Sequence, residues 1–293
     1  MQVGIQSYQF STAAELVEFC QLTQAECVEM ELDGEGRDPD KAHTMSGHFD
    51  LPVTELVGRL RDNGIEVMDF CLHGKLTVTA DATLRSSASL RSTSESRRRQ
   101  RFGFFFGAID KAQELGVPLI HTYPSVDQDL PQDEAWDLTV AAYREAVAYA
   151  SRKGVRICSQ AINYPLDTCE HFRQLWDEVG SDDLGINVDF ANHYIRGEDT
   201  LDLIPKFGKR IFMCHAKDVD LPNPDWAGVR LPGLGGVDIV GCVQALMDAG
   251  VDVPLIIEHE SPHFDQSQHF SAKPVGVAFG VGYMKAVVAA LGA

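Results

Sequence analysis

Basic residues are scarce in this 293-residue chain: 25 Lys and Arg stand against 43 Asp and Glu, a net charge of −18 with neutral histidine. A nucleic-acid binder needs a basic face to displace the counterions of a phosphate backbone, so no nucleic-acid partner is expected. No segment approaches the run of about eighteen apolar residues that spans a bilayer, so no membrane partner is expected either. The seven cysteines (Cys20, Cys27, Cys71, Cys158, Cys169, Cys214 and Cys242) are odd in number, scattered and without a Cys-x-x-Cys pair. That speaks against a disulfide frame or a zinc ribbon and for buried thiols in a reducing, cytoplasmic setting. The opening Met1-Gln-Val-Gly-Ile-Gln-Ser-Tyr8 has neither the basic start nor the apolar run of a secretion signal and reads as an immediate strand.

What is present is a regular alternation. Short apolar or β-branched runs are expected as strands at Val3–Ser7, Cys27–Leu32, Glu66–Leu72, Leu119–Tyr123, Arg156–Gln160, Leu184–Asp189, Ile211–His215 and Val253–Glu258. Helical spacing falls between them, at 13–23, 52–63, 95–115, 133–153, 168–179, 200–207, 239–249 and 275–291. Gly64, Gly116, Gly154, Gly180 and Gly250 follow helix ends, where a left-handed cap is expected. Eight strand–helix units without a break in composition imply an α/β protein. The expected form is a single (β/α)8 TIM-barrel domain over residues 1–293. An open doubly wound sheet usually has a Gly-rich turn after its first strand, and Ser7-Tyr8-Gln9-Phe10 contains no glycine. Two long loops, 73–94 and 216–237, are placed on the carboxyl face, where barrels carry their sites.

The chemistry is expected at the carboxyl ends of four successive strands, which close on Gln160, Asp189, His215 and Glu258. Each alone has an ordinary reading: an Asp after a strand caps a helix, and a His on an apolar strand is a hydrogen-bonded core residue. Their shared position changes the reading, because ionisable groups clustered out of water cost several kcal/mol each unless a cation or proton network joins them. Two carboxylates, an imidazole and an amide oxygen make a mixed O/N shell for one divalent metal. Mn²⁺ is the expected ion, with Co²⁺, Mg²⁺ or Zn²⁺ as alternatives. His193 lies four residues after Asp189, close enough in sequence for one short turn to bring it over the mouth, and His73 ends the third strand. Glu29 and Glu31 lie in the second strand, where alternation is expected to admit only one of them to the barrel interior.

Four segments carry a resemblance: Gly185-Ile-Asn-Val-Asp-Phe-Ala-Asn-His193, Arg210-Ile-Phe-Met-Cys-His-Ala-Lys-Asp218, Leu231-Pro-Gly-Leu-Gly-Gly-Val-Asp238 and Ile256-Ile-Glu-His-Glu260. With them the chain resembles the xylose-isomerase-like TIM-barrel superfamily of sugar phosphate isomerases and epimerases and keto-inositol dehydratases. The resemblance implies one divalent metal held by Glu, Asp, His and Glu from strands five to eight. Gln160 departs from it, since a glutamine offers a carbonyl oxygen but cannot take a proton.

The implied activity is metal-dependent chemistry on a keto-sugar, keto-inositol or keto-glycoside through an enediolate, ending in isomerisation, epimerisation or β-elimination. The missing carboxylate tilts the expectation towards elimination. Glu258, with His193 or His73, is the expected proton-handling set, and Lys217, Arg230 and His259 the substrate-binding set. The partner is a small carbohydrate, in a homo-oligomer or with a second subunit. The alternative is a non-catalytic or partner-dependent barrel subunit of a sugar- or glycoside-processing complex. An endonuclease IV-like enzyme is disfavoured by the acidic charge and by a single evident metal shell.

Overall fold

The computed structural model describes residues 1–32, 38–44, 47–78, 95–126, 130–220, 229–258 and 272–292. Eight parallel strands close into a barrel: β1 (Val3–Gln6), β2 (Cys27–Glu31), β3 (Glu66–Val78), β4 (Leu119–Val126), β5 (Arg156–Gln160), β6 (Leu184–Asp189), β7 (Ile211–Ala216) and β8 (Leu255–Ile257). Each pairs with its sequence neighbour, and β8 returns to β1 through Val3 opposite Leu255 and Ile5 opposite Ile257. This is the expected single TIM barrel.

Nine helices are described: α1 (Ala13–Thr23), α2 (Val53–Asp62), α3 (Glu95–Leu115), α4 (Gln132–Ser151), α5 (Cys169–Val179), α6 (Phe190–Ile195), α7 (Thr200–Phe207), α8 (Ile239–Asp248) and α9 (Ala272–Leu291). Local chemistry sets their ends. Thr12 accepts from Glu15 N–H while Glu15 reaches back to the Thr12 N–H, a capping box that satisfies two otherwise orphaned donors of α1. Thr168 caps α5 by accepting from His171 N–H. The five glycines expected as left-handed caps all have positive φ. The short α6 lies in a stretch with no helical reading in the sequence.

The third strand is longer than its apolar run. It continues through Val78, with Leu76, Thr77 and Val78 opposite Pro124, Ser125 and Val126 of an equally extended β4. Residues 73–78, expected as the start of a loop, are therefore strand, and His73 is internal to β3 rather than at its end. Gly74 and Lys75 read as a turn in isolation, but the ladder shifts register between Leu72 and Leu76 and absorbs them. Residues 79–94 lie outside the described set. The 216–237 stretch carries an antiparallel ribbon, Asp218–Val219 with Val229–Arg230, around the undescribed residues 221–228.

The barrel interior is graded. At its amino end Cys27, Leu119, Cys158, Phe212, Met213 and Ile256 form an apolar floor, separate from the larger core between barrel and helices. Gly185 lets Phe212 into that floor, since a Cβ there would sit 2.4 Å from the ring. Above the floor the inward positions turn polar: Gln6, Glu29, Asp69, His121, Gln160, Asn187, Asp189 and His215 are all buried. On the outside, α9 packs against the barrel through Val277, Val281, Met284 and Val287. Its Pro274–Leu291 segment, with mean hydropathy 1.6, is long and apolar enough by composition to cross a bilayer, which the search for unbroken apolar runs did not reveal.

Gly185→Ala is expected to overpack the floor against Phe212 and to destabilise the fold by about 1–3 kcal/mol, read as a lower thermal midpoint.

Candidate active site

The carboxyl ends of β5 to β8 bring Gln160, Asp189, His215 and Glu258 together. A ligand atom from each of Asp189, His215 and Glu258 lies within 4.8 Å of the others. His215 Nδ1 stands 2.6 Å from Glu258 Oε2 and 4.0 Å from Asp189 Oδ2. The 2.6 Å approach is an ion pair that stands off ideal hydrogen-bond alignment, and Nδ1 has no other hydrogen-bond partner among the described residues. Asp189 is both a cap and a member of the cluster, through different oxygens. Its Oδ1 accepts from Asn192 N–H at 2.9 Å and starts α6; its Oδ2 accepts from Gln160 Nε2 at 3.1 Å and Asn192 Nδ2 at 2.6 Å. The ordinary and functional readings of this aspartate therefore hold together.

A second polar layer lies directly beneath. Glu29 Oε2 accepts from His121 Nδ1 at 3.0 Å and from His215 Nε2 at 3.1 Å, and Gln6 Nε2 donates to Oε1 at 2.8 Å. Asn187 Nδ2 faces His121 Nε2 at 3.3 Å. The rings of His121 and His215 meet edge to face, 5.2 Å between centroids. Neither oxygen of Asp69, opposite Glu29 in the ladder, meets a donor in hydrogen-bonding geometry among the described residues. Residues two apart on a strand share a face, so Glu31 falls on the same side as Glu29, contrary to the expectation that alternation admits only one.

Charge sorts these groups. Burial alone would raise the Glu29 carboxyl, but the charge of His215 and hydrogen bonds from both imidazoles outweigh it and hold Glu29 well below the usual carboxylate range. Burial would raise Glu258 too, and Lys217 with His215 reverses it in the same way. His215 is pushed the other way: burial disfavours its charge, yet Glu29 and Glu258 lift it well above an ordinary imidazole. Asp189 is raised by burial and by Glu258. Asp69 is raised well above the usual range by burial and then by the charge of Glu29.

The other expected residues are distributed unevenly. Lys217 reaches the cluster, donating from Nζ to Glu258 Oε1 at 2.9 Å. Arg230 lies on the ribbon beyond β7, its Nε donating to Asp220 Oδ2 at 2.8 Å. His193 is not brought to the cluster. Its Nδ1 lies 2.7 Å from Glu198 Oε2 and 3.5 Å from Cys169 Sγ, and Glu198 Oε1 accepts the Cys169 N–H at 2.9 Å, tying the loop after α6 to the start of α5. The His73 side chain and the whole of His259 lie outside the described residues. The glycine loop 231–237 turns its amides inwards: Gly233, Gly235 and Val237 N–H all donate to the Asp218 carboxylate. A Cβ on Gly235 would lie 2.3 Å from Asp218 Oδ1, which explains the glycine.

Sequence reasoning placed Glu29 or Glu31 at the barrel interior but missed Asp69 and His121 as parts of the site. The available signal was an ionisable residue within a strand run three times over, in Val-Glu-Met, Met-Asp-Phe and Ile-His-Thr.

The raised carboxyl of Asp69 has a testable sign. A carboxyl whose folded pKa exceeds its unfolded value of about 3.9 favours the fold at low pH and loses that contribution as pH climbs towards the folded value. Asp69→Asn, neutral throughout, is therefore expected to melt above the wild type by a margin that widens as pH rises from about 4 to about 8. Parallel melting curves check this.

Comparison with known proteins identifies the fold and the family. Over 172 residues the chain is 25% identical to an inosose isomerase of Bacillus subtilis (strain 168), covering 55% of this chain and 60% of that protein. The chain thus matches about 60% of the length of this curated relative. The fold superposes on a crystal structure of the IOLI protein with a bound zinc atom at TM-score 0.76, with 17% identity and 99% of each chain covered. It superposes on L-ribulose 3-epimerase at TM-score 0.74, with 16% identity, covering 99% of this chain and 96% of the other. The family model for xylose isomerase-like TIM barrels matches residues 17–284, and the chain belongs to that family.

Proposed function

We propose that the chain is a divalent-metal-dependent enzyme acting on a keto-sugar, keto-inositol or keto-glycoside through an enediolate. The observation that carries this reading is the convergence of Asp189, His215 and Glu258 on one buried point, with His215 Nδ1 2.6 Å from Glu258 Oε2 and 4.0 Å from Asp189 Oδ2. The donor set fits a cation: two carboxylate oxygens, an imidazole nitrogen and, from Gln160, an amide oxygen suit Mn²⁺, with Co²⁺, Mg²⁺ or Zn²⁺ as alternatives. A bound divalent cation supplies Lewis-acid polarisation of a carbonyl and acidifies the adjacent C–H.

The chain's own groups supply the proton handling. Glu258 is held ionised by Lys217 and His215 and is the carboxylate that takes a proton from the carbon next to the carbonyl, at Oε1. Lys217 Nζ, 2.9 Å from that oxygen, donates a proton to the departing or developing oxygen. Gln160 cannot return a proton from the opposite face, so β-elimination is favoured over epimerisation: the C–H proton passes to Glu258, the C–O bond breaks, and Lys217 protonates the leaving oxygen. Arg230 and His259 are proposed to bind hydroxyl or carboxylate groups of the substrate, and His73 remains a proposed second base. His193, engaged with Glu198, would act by holding the wall of the site rather than by touching substrate.

The same glutamine supports a second reading, a partner-dependent barrel subunit whose rim has lost one anionic ligand. A single species in light scattering that carries metal and activity alone would set it aside. A homo-oligomer in a reducing cytoplasm is proposed for the enzyme.

Elemental analysis of purified protein is expected to find close to one divalent metal per chain, and Asp189→Ala or His215→Ala to abolish it. A metal-free wild type whose melting is unchanged by chelator would overturn the reading. Because His215 carries its proton tightly and a metal must displace it, affinity is expected to rise with pH, seen as proton release in calorimetry. Gln160→Glu is expected to tighten metal binding and to shift products from elimination towards isomerisation. In D₂O, deuterium should appear next to the substrate carbonyl by NMR.

A further inference from the structure

Glu29 is a carboxylate in the centre of a barrel, 2% exposed, and it is fully engaged by three donors from three other strands. Gln6 on β1 donates to one oxygen, and His121 on β4 and His215 on β7 share the other. For stability alone this layer is a poor choice, since a well-packed apolar layer usually matches or exceeds a buried ionic one. The floor one layer below is built in that apolar way. The polar layer therefore calls for another reason.

The geometry supplies one. An imidazole has two nitrogens, and a hydrogen bond at one fixes both the tautomer and the direction of the other. Glu29 fixes Nε2 of His215, and the edge-to-face contact with His121 fixes the plane of the ring. Nδ1 is then the nitrogen that faces Asp189 and Glu258. His121 in turn is oriented by Asn187 at its far nitrogen, so the tether is itself held.

We propose that Glu29 is a positioning residue for the cation site: it holds His215 from below as an Nε2–H donor, so that Nδ1 is presented to the ion. This rests on the cation reading of the Asp189, His215 and Glu258 cluster. Gln6 and His121 serve the same end by fixing the carboxylate. Outer partners of metal-bound histidines typically change affinity by about tenfold to a hundredfold when removed.

The test compares wild type, Glu29→Gln and Glu29→Asp. The amide keeps the shape of the side chain and loses its charge; the shorter acid keeps the charge and withdraws it from His215. Co²⁺ affinity is measured by chelator competition, metal-free stability by thermal melting, and the His215 Nε2–H resonance by NMR of the Zn²⁺-loaded protein. The expected result is Co²⁺ binding weakened by about tenfold to a hundredfold in both variants, with the downfield His215 Nε2–H signal shifted or lost. Wild-type Co²⁺ affinity in both variants, even with lowered melting points, would overturn the positioning role while leaving the cation reading intact. A wild type that binds no Co²⁺ would overturn the cation reading and the positioning role with it. Should Glu29→Gln fail to fold, Glu29→Asp decides on the same two readouts.

Discussion

A carboxylate removed from water keeps its charge only where donors replace the lost solvent, and the interior of this barrel is arranged around that requirement. Glu29 meets it with Gln6, His121 and His215; Glu258 meets it with Lys217 and His215. His215 is common to both sets. It links a layer that water does not reach to a mouth where substrate would enter, and its two nitrogens serve one layer each. Asp69 shows the alternative outcome: no donor among the described residues is aligned to replace water, and burial with the charge of Glu29 pushes its carboxyl up.

The fold was largely legible because its signals are local. Alternating apolar runs and glycine caps are each read within a few residues, and β5, β6, α1, α3 and α7 have the bounds expected of them. The long β3 was less legible because its last residues are strand only through their pairing with β4. No window of sequence holds both partners of that ladder.

The site divides in the same way. Gln160, Asp189, His215 and Glu258 could be proposed from their strand-end positions, since consecutive parallel strands place equivalent positions side by side. Glu29 could be noted as an acid within a strand but its partners could not, because they are 92 and 186 residues away. His193 misled for a local reason. Asp189 is the cap of α6, so His193 sits at the last described turn of a short helix, and the helix carries its ring towards Glu198 and Cys169. Four residues after a cap is a different direction from four residues along a strand.

The inward-turned glycine loop has a further consequence for recognition. Backbone N–H groups gathered in a concave turn ordinarily attract anions, but here an aspartate of the same chain already sits in the concavity. The three amides are thereby spent within the chain, and an anion settling on this loop would have to displace Asp218 first.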